Sequence, residues 1–169
     1  ERDESEVVLE LTLNLPQGFS AEADYRWDPE DSGNTGFRTL LRWQGTRTQV
    51  VNLSLRQRDV DGERVLDQGE VSVATPINPH WRVFAGITQD FIDDEVRQRF
   101  FGIQQDGCCY ALRLVQREEI ERNPFSSGSD LGKEIMLEIE LKGLAGFGNS
   151  VVGFLRNEIE GYGPDTFGY

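Results

Sequence analysis

Period-two alternation dominates the chain and sets what it can fold into. "VVLELTLNL" (7–15) places Leu9, Leu11, Leu13 and Leu15 on one side and Glu10, Thr12 and Asn14 on the other. "QVVNLSLRQR" (49–58) does the same with Val51, Leu53 and Leu55 against Asn52, Ser54 and Arg56. "CYALRLVQR" (109–117) sets Tyr110, Leu112 and Leu114 against Ala111, Arg113 and Val115. "IMLEIELKGL" (135–144) sets Leu137, Ile139 and Leu141 against Glu138, Glu140 and Lys142. Successive side chains of a strand point to opposite faces, so each stretch reads as a strand with one apolar face. A helix would scatter the same residues around its axis.

Less regular strands are expected over 19–28, 36–44, 65–75, 80–89 and 95–105, the last two with apolar residues on both faces. The total is about nine strands of roughly 9–11 residues, the length a tilted membrane strand needs. Between them the connections alternate: "PQG", "DPEDSGNTG", "QGT", "RDVDGER", "PINP", "DFIDDE", "DG" and "REEIERNPFSSGSDLGKE". Tight periplasmic turns alternating with longer extracellular loops are the habit of outer-membrane barrels. With the short turns placed in the periplasm, the first strand runs down from outside and the ninth ends in the periplasm. Bacterial barrels have an even strand count with both ends in the periplasm, so nine strands imply an incomplete barrel or one strand missed. The expected fold is all-β: an antiparallel, up-and-down transmembrane β-barrel segment over 1–144. Residues 145–169, "AGFGNSVVGFLRNEIEGYGPDTFGY", lack clean alternation and read as a C-terminal periplasmic tail with one helical turn around Val151–Asn157.

Bulk properties agree. Hydrophobic residues make up 37% of the chain, and the mean hydropathy of −0.49 is too polar for a helical membrane protein. No apolar run approaches the ~18–20 residues of a spanning helix. The opening "ERDESE" carries no basic n-region, apolar h-region or cleavage site, as expected of a mature or truncated segment. A net charge of −13 argues against nucleic acid as a partner.

Chemistry-bearing motifs are scarce. The two cysteines, Cys108 and Cys109, are neighbours after the turn "QDG". Adjacent Cα atoms lie about 3.8 Å apart, whereas a relaxed disulfide wants roughly 4.4–6.8 Å. If oxidised, these thiols are expected to pair outside this sequence. The bland reading is two small hydrophobic residues in a strand. The lone histidine, His80, has no nucleophile at triad spacing and reads as a turn residue. "DFIDDEV" (90–96) gathers four carboxylates that suit a Ca²⁺ or Mg²⁺ ion in type but not in EF-hand spacing, so a solvated loop is favoured. Phe37, Trp43, Trp81 and Phe101 are candidates for interfacial aromatic girdles. No catalytic, cofactor-binding or metal residues are assigned, and an enzyme is not expected.

Several stretches resemble one family. "FSAEADYRWDPE" (19–30), "VVNLSLRQRDV" (50–60), "PINPHWRVFAGI" (76–87), "GCCYALRLVQRE" (107–118) and "LEIELKGLAGFG" (137–148) resemble, in order, the C-terminal barrel of the LptD family, also called OstA or Imp. The tail "FLRNEIEGY" is similar to the family's short C-terminal extension. The resemblance implies an outer-membrane protein of Gram-negative bacteria that inserts lipopolysaccharide into the outer leaflet, without catalysis. It implies a periplasmic jelly-roll domain upstream that meets a periplasmic bridge protein, and a barrel plugged by an LptE-like lipoprotein. It also implies that Cys108 and Cys109 form disulfides with cysteines far upstream. The last barrel strand would be Glu134–Leu144, so Leu137, Glu138, Ile139, Glu140, Leu141, Lys142 and Gly143 would form one lip of a lateral gate between the first and last strands. Gly143 and Ala145, with little to pack, would loosen its periplasmic end.

A second reading is a soluble, acidic antiparallel β-sandwich or small barrel that binds an apolar ligand. It requires the leucine faces to be buried under a second layer.

Overall fold

A computed structural model describes residues 7–28, 33–46, 49–122, 129–142 and 150–163. Nine strands form one antiparallel sheet in strict sequence order. They are β1 (Val7–Asn14), β2 (Phe19–Asp28), β3 (Gly33–Thr46), β4 (Gln49–Val60), β5 (Glu63–Asn78), β6 (Trp81–Asp90), β7 (Glu95–Asp106), β8 (Tyr110–Arg122) and β9 (Ser129–Leu141). Each strand pairs with its sequence neighbours, so the topology is up-and-down. β1 and β9 are the two edges and are not paired with each other, so the sheet is open. This is the expected all-β barrel segment. Among the described residues there is one sheet and no second sheet over the leucines, so the sandwich reading is not favoured.

The strands run further than the alternation suggests, at the expense of the connections read as long. "RDVDGER" is mostly strand: β4 and β5 meet at Asp61–Gly62, whose φ values of 54° and 79° are left-handed. Positive φ at both central positions defines a twist-compatible two-residue hairpin, for which Asp-Gly is a preferred pair. β8 likewise continues to Arg122, and β9 starts at Ser129 rather than Glu134.

The sheet has a bare face and a covered face. Leu9, Leu11, Leu13, Leu41, Leu53, Leu55, Val71, Ile87, Phe101, Leu114, Leu137, Ile139 and Leu141 are all exposed on the bare side. The register aligns Leu13, Ala21, Leu41, Leu53, Val71 and Ile87 into one apolar row from β1 to β6. At one end of the strands Phe19 pairs with Trp43, their ring centroids 6.3 Å apart. Trp81 and Tyr110 share that turn-side end, while Tyr25 and Phe37 pair at the other. Of the four girdle candidates, Phe37, Trp43 and Trp81 therefore lie near strand ends, and Phe101 lies midway along β7.

The opposite face carries the core. Residues 150–163 fold back onto it, with a helix over the stretch where one helical turn is expected. The helix α1 (Ser150–Glu158) buries Val151 and Leu155, and Ile159 and Tyr162 beyond it complete an apolar stripe at helical spacing. These four pack against Val50, Ala74, Phe84, Phe100 and Val115. The partners come from adjacent strands because the register lines them up: Val50, Ala74, Phe84, Gly102, Val115 and Met136 form one continuous row from β4 to β9. Fully burying an aliphatic or aromatic side chain contributes roughly 1.5–3 kcal/mol, which makes this patch the main apolar attachment of α1. Phe100 lies on the bare backbone of Gly86, where an added Cβ would come 2.3 Å from its ring.

Candidate functional site

The covered face gathers the charged side chains that alternation hides from the bare face. Beside the apolar row runs a polar row from β6 to β9: Arg82, Gln104, Arg113 and Glu138. Arg82, Gln104, Arg113 and Glu138 are all buried. Burying such groups is costly unless each is paired and hydrogen-bonded, and here Gln104, Arg113 and Glu138 are linked in series. Arg113 Nη1 lies 2.5 Å from Glu138 Oε1 and 2.8 Å from Glu140 Oε2. Arg113 Nε donates to Gln104 Oε1 at 3.0 Å, and Gln104 Nε2 donates to Asp106 Oδ2 at 2.6 Å. The Tyr162 hydroxyl donates to the same Gln104 oxygen at 3.3 Å.

Glu138 connects the sheet to α1. Its second oxygen, Oε2, accepts the backbone N–H of Val151 at 3.1 Å and of Val152 at 3.2 Å. The first N–H groups of a helix have no partner within it and carry a partial positive charge. A carboxylate from another element thus caps the helix, in the place a local Ser or Asp side chain usually takes.

The other end of the segment is held by β3, β4 and β6. Arg42 Nη2 donates to Glu160 Oε1 at 2.5 Å, and Arg38 lies 3.6 Å from Glu160 Oε2. Asn52 Nδ2 donates to the Glu160 carbonyl at 2.9 Å, and Arg82 Nη1 to the Gly163 carbonyl at 3.4 Å. Gly161 turns the chain with φ of +83°, a left-handed value that costs glycine little. Tyr162 meets the Phe84 ring edge-on at 5.4 Å, and Phe154 meets Phe100 edge-on at 5.2 Å with Arg117 over its ring. Burial pushes the Tyr162 phenol above its ordinary pKa, opposed by Arg113 and Arg82. Burial likewise raises the Glu158 carboxyl, with Arg117 pulling the other way.

The residues expected from the sequence fall in two neighbouring places. Cys108 and Cys109 sit in the turn between β7 and β8, both exposed, their sulfurs in hydrogen-bond contact at 3.0 Å without a disulfide. The hydrogen bond and negative charge of Cys108 raise the Cys109 thiol, while Lys142 lowers it. Leu137, Glu138, Ile139, Glu140 and Leu141 belong to β9, the edge strand, with the apolar three on the bare face and the two carboxylates on the covered one. Lys142 joins the two places: its backbone N–H donates to the Cys109 carbonyl at 2.9 Å, and its Nζ to the Gly107 carbonyl at 2.9 Å. Gly143 lies outside the described residues.

Other candidates resolve simply. Asp90 of the acidic loop accepts from Arg97 Nε at 2.9 Å and from the Ile92 backbone at 2.9 Å. Among the described residues no cluster of metal-ligating side chains forms. His80 is a turn residue whose Nδ1 lies 3.2 Å from the Asp106 carbonyl. The bare face is not wholly apolar: Arg99, Glu118 and Lys133 form an ion-paired group there, toward the loop end of β7, β8 and β9. Among the described residues no helix is long and apolar enough to cross a membrane, which leaves crossing by strands untouched. Sequence reasoning missed Arg42, Gln104, Arg113, Glu160 and Tyr162. The one available signal was the spacing of Val151, Leu155 and Ile159.

An open up-and-down sheet with one bare apolar face, aromatic strand ends and a polar covered face defines a segment of an outer-membrane-type β-barrel wall. Comparison with known proteins finds similarity to one family. The family model LptD, "LPS transport system D", matches residues 1–81. The chain is 26% identical over 166 residues, 98% of its length, to the LPS-assembly protein LptD of Alkalilimnicola ehrlichii. It is 29% identical to that of Nitrosococcus oceani, with 96% of the chain covered, and 29% identical to that of Xylella fastidiosa, with 98% covered. In each case it spans 21%, about a fifth, of the relative's length. The resemblance read from the sequence is borne out: the chain matches LptD along nearly its whole length, consistent with the C-terminal region.

Proposed function

We propose that this chain supplies barrel wall to an outer-membrane protein that assembles lipopolysaccharide into the outer leaflet, and that β9 is one lip of its lateral gate. The observation that carries this reading is the edge itself. β9 pairs with β8 on one side only, yet Leu137, Ile139 and Leu141 present an exposed apolar face. Backbone N–H and C=O groups left unpaired in hydrocarbon cost several kcal/mol each, so in a membrane this edge requires another strand. A seam between two such edges can part where a continuous ladder cannot.

On this reading the bare face meets outer-membrane lipid, and the covered face lines the path of the lipopolysaccharide sugars beside an LptE-like plug. The turn-side end is periplasmic, so β9 ends on that side and 150–163 lie over the lumenal face of the sheet. Cys108 and Cys109 then meet an oxidising compartment and pair with cysteines of an upstream domain that contacts a periplasmic bridge protein. The two thiols are exposed and not joined to each other by a disulfide, which suits pairing elsewhere. Arrival of lipopolysaccharide at the cell surface tests the gate. In the full-length protein, a disulfide between Ile139→Cys and a cysteine on the facing first strand is expected to stop export, and reduction to restore it. Normal export by the locked protein would overturn lateral exit through this seam.

A further inference from the structure

The polar groups around α1 do more than attach a helix. They tie two distant parts of the sheet to one element. At one end, Glu138 of the edge strand holds the first N–H groups of α1. At the other, Arg42 of β3 and Asn52 of β4 hold Glu160. Between these ends the apolar stripe sits on β4 through β8. The sheet route from β3 to β9 passes through six strand-to-strand steps, each about 4.8 Å and each free to twist or shear a little. The segment 150–163 bypasses them.

The β9 end of this connection is chosen with some economy. Of the covered-face glutamates on β9, Glu134 lies 3.7 Å from Arg117, and Glu140 is partly exposed and pairs with Arg113. Glu138 is buried, and divides its two oxygens between Arg113 and the helix. The same side chain therefore ties β9 to β8 and to α1. If α1 lifts, Glu138 loses both helix donors, and Arg113 loses the Tyr162 hydroxyl that shares its Gln104 partner. The buried charges of β8 and β9 are then opened to water, and the last pairing in the sheet is weakened from its covered side.

We propose that residues 150–163 are a strap that holds the edge strand in place, and that Glu138 is the positioning residue through which it does so. Seating of the strap at β3 and β4 is thereby coupled to the order of β9, six strands away. The hold on β9 follows from the contacts alone. Its consequence for lipopolysaccharide export rests on the gate reading above.

Hydrogen–deuterium exchange in the full-length protein, purified in detergent, tests the coupling. Arg42→Ala removes the shortest contact of the far attachment without touching β8 or β9, and Leu155→Asp unseats the strap from its apolar bed. Peptides covering 133–142 and 150–163 are followed together, with β5 as an internal reference. Wherever a variant speeds exchange in 150–163, exchange in 133–142 is expected to rise severalfold or more, while β5 stays unchanged. Glu138→Ala should raise both as well, and adding Arg42→Ala to it should raise 133–142 no further, since the link is already cut. An unseated strap with β9 still protected as in the parent protein would overturn the proposal. So would additive effects of the two substitutions on β9. Export measured in the same variants separates the readings: a loosened β9 with unaltered export removes the gate role and leaves the strap standing.

Discussion

Replacing Glu138 by alanine is the sharpest single perturbation this structure offers. The Glu138 side chain is 3% exposed and its partner Arg113 is 2% exposed, so neither charge is repaid by water when the other is lost. Removing one partner of a buried pair costs roughly 3–5 kcal/mol. Glu140, at 2.8 Å from the same guanidinium nitrogen, stays in place and keeps the loss near the lower end. The two helix N–H groups lose their acceptor as well, which adds about 1 kcal/mol. The attachment of α1 should thus weaken by about 3–4 kcal/mol, a factor of about 10²–10³ in the seated population. Amide exchange at Ile159, whose N–H donates to the Leu155 carbonyl at 2.9 Å, reads that population directly. Glu140→Ala is the control, because a half-exposed pair contributes only ~0–1 kcal/mol. Equal effects of the two substitutions on Ile159 would refute the reasoning, since the argument rests on the difference in burial and on the helix donors.

Three further outcomes are expected. Gly86→Ala pushes a methyl into the Phe100 ring and, through it, Phe154; overpacking of this kind costs about 1–3 kcal/mol, visible as faster exchange in 150–163 with β1–β3 unaffected. Glu158 has its carboxyl pKa raised by burial, so the folded state holds the extra proton and docking weakens as pH rises above the ordinary carboxylate value. Glu158→Gln should therefore protect α1 better than the parent at pH 7, by a margin that shrinks as pH falls toward ~4.5; a constant margin would contradict the sign. Lys142→Met removes the cation that lowers the Cys109 thiol, so its alkylation at fixed pH slightly above neutral should slow, as the thiolate is the reacting form. Faster alkylation would show that loss of the Gly107 contact, rather than charge, controls the turn.

The strands were legible because a repeat of two leaves few alternatives: Leu9, Leu11 and Leu13 share a face in any strand. Their ends were not, because alternation fades where both faces become polar, as at Arg58–Val60 and Glu118–Arg122, although backbone pairing continues there. Asp61–Gly62 carried the tighter hairpin in plain sight. The edge position of β9 was readable from its place in the order, but the division of labour between Glu138 and Glu140 was not. Both alternate inward, and only the docking of α1 makes one a cap. The segment itself showed its apolar stripe at Val151, Leu155 and Ile159, without any sign of the face it would cover. That face reads as polar in the sequence because Asn52, Ser72 and Arg82 flank each apolar residue along its own strand. The row Val50–Ala74–Phe84 exists only once the register is known.

Lipid or water must touch the bare face, and a barrel wall requires lipid there. Spin labels at Leu41, Leu53 and Leu137 on that face, and at Glu22 and Arg56 on the other, can be compared in the full-length protein reconstituted in lipid. High accessibility to oxygen and low accessibility to a water-soluble nickel chelate at the three leucine positions, with the reverse at the two polar ones, is the predicted result. Leucine positions open to the nickel chelate, or closed to both reagents beneath another protein layer, would contradict it.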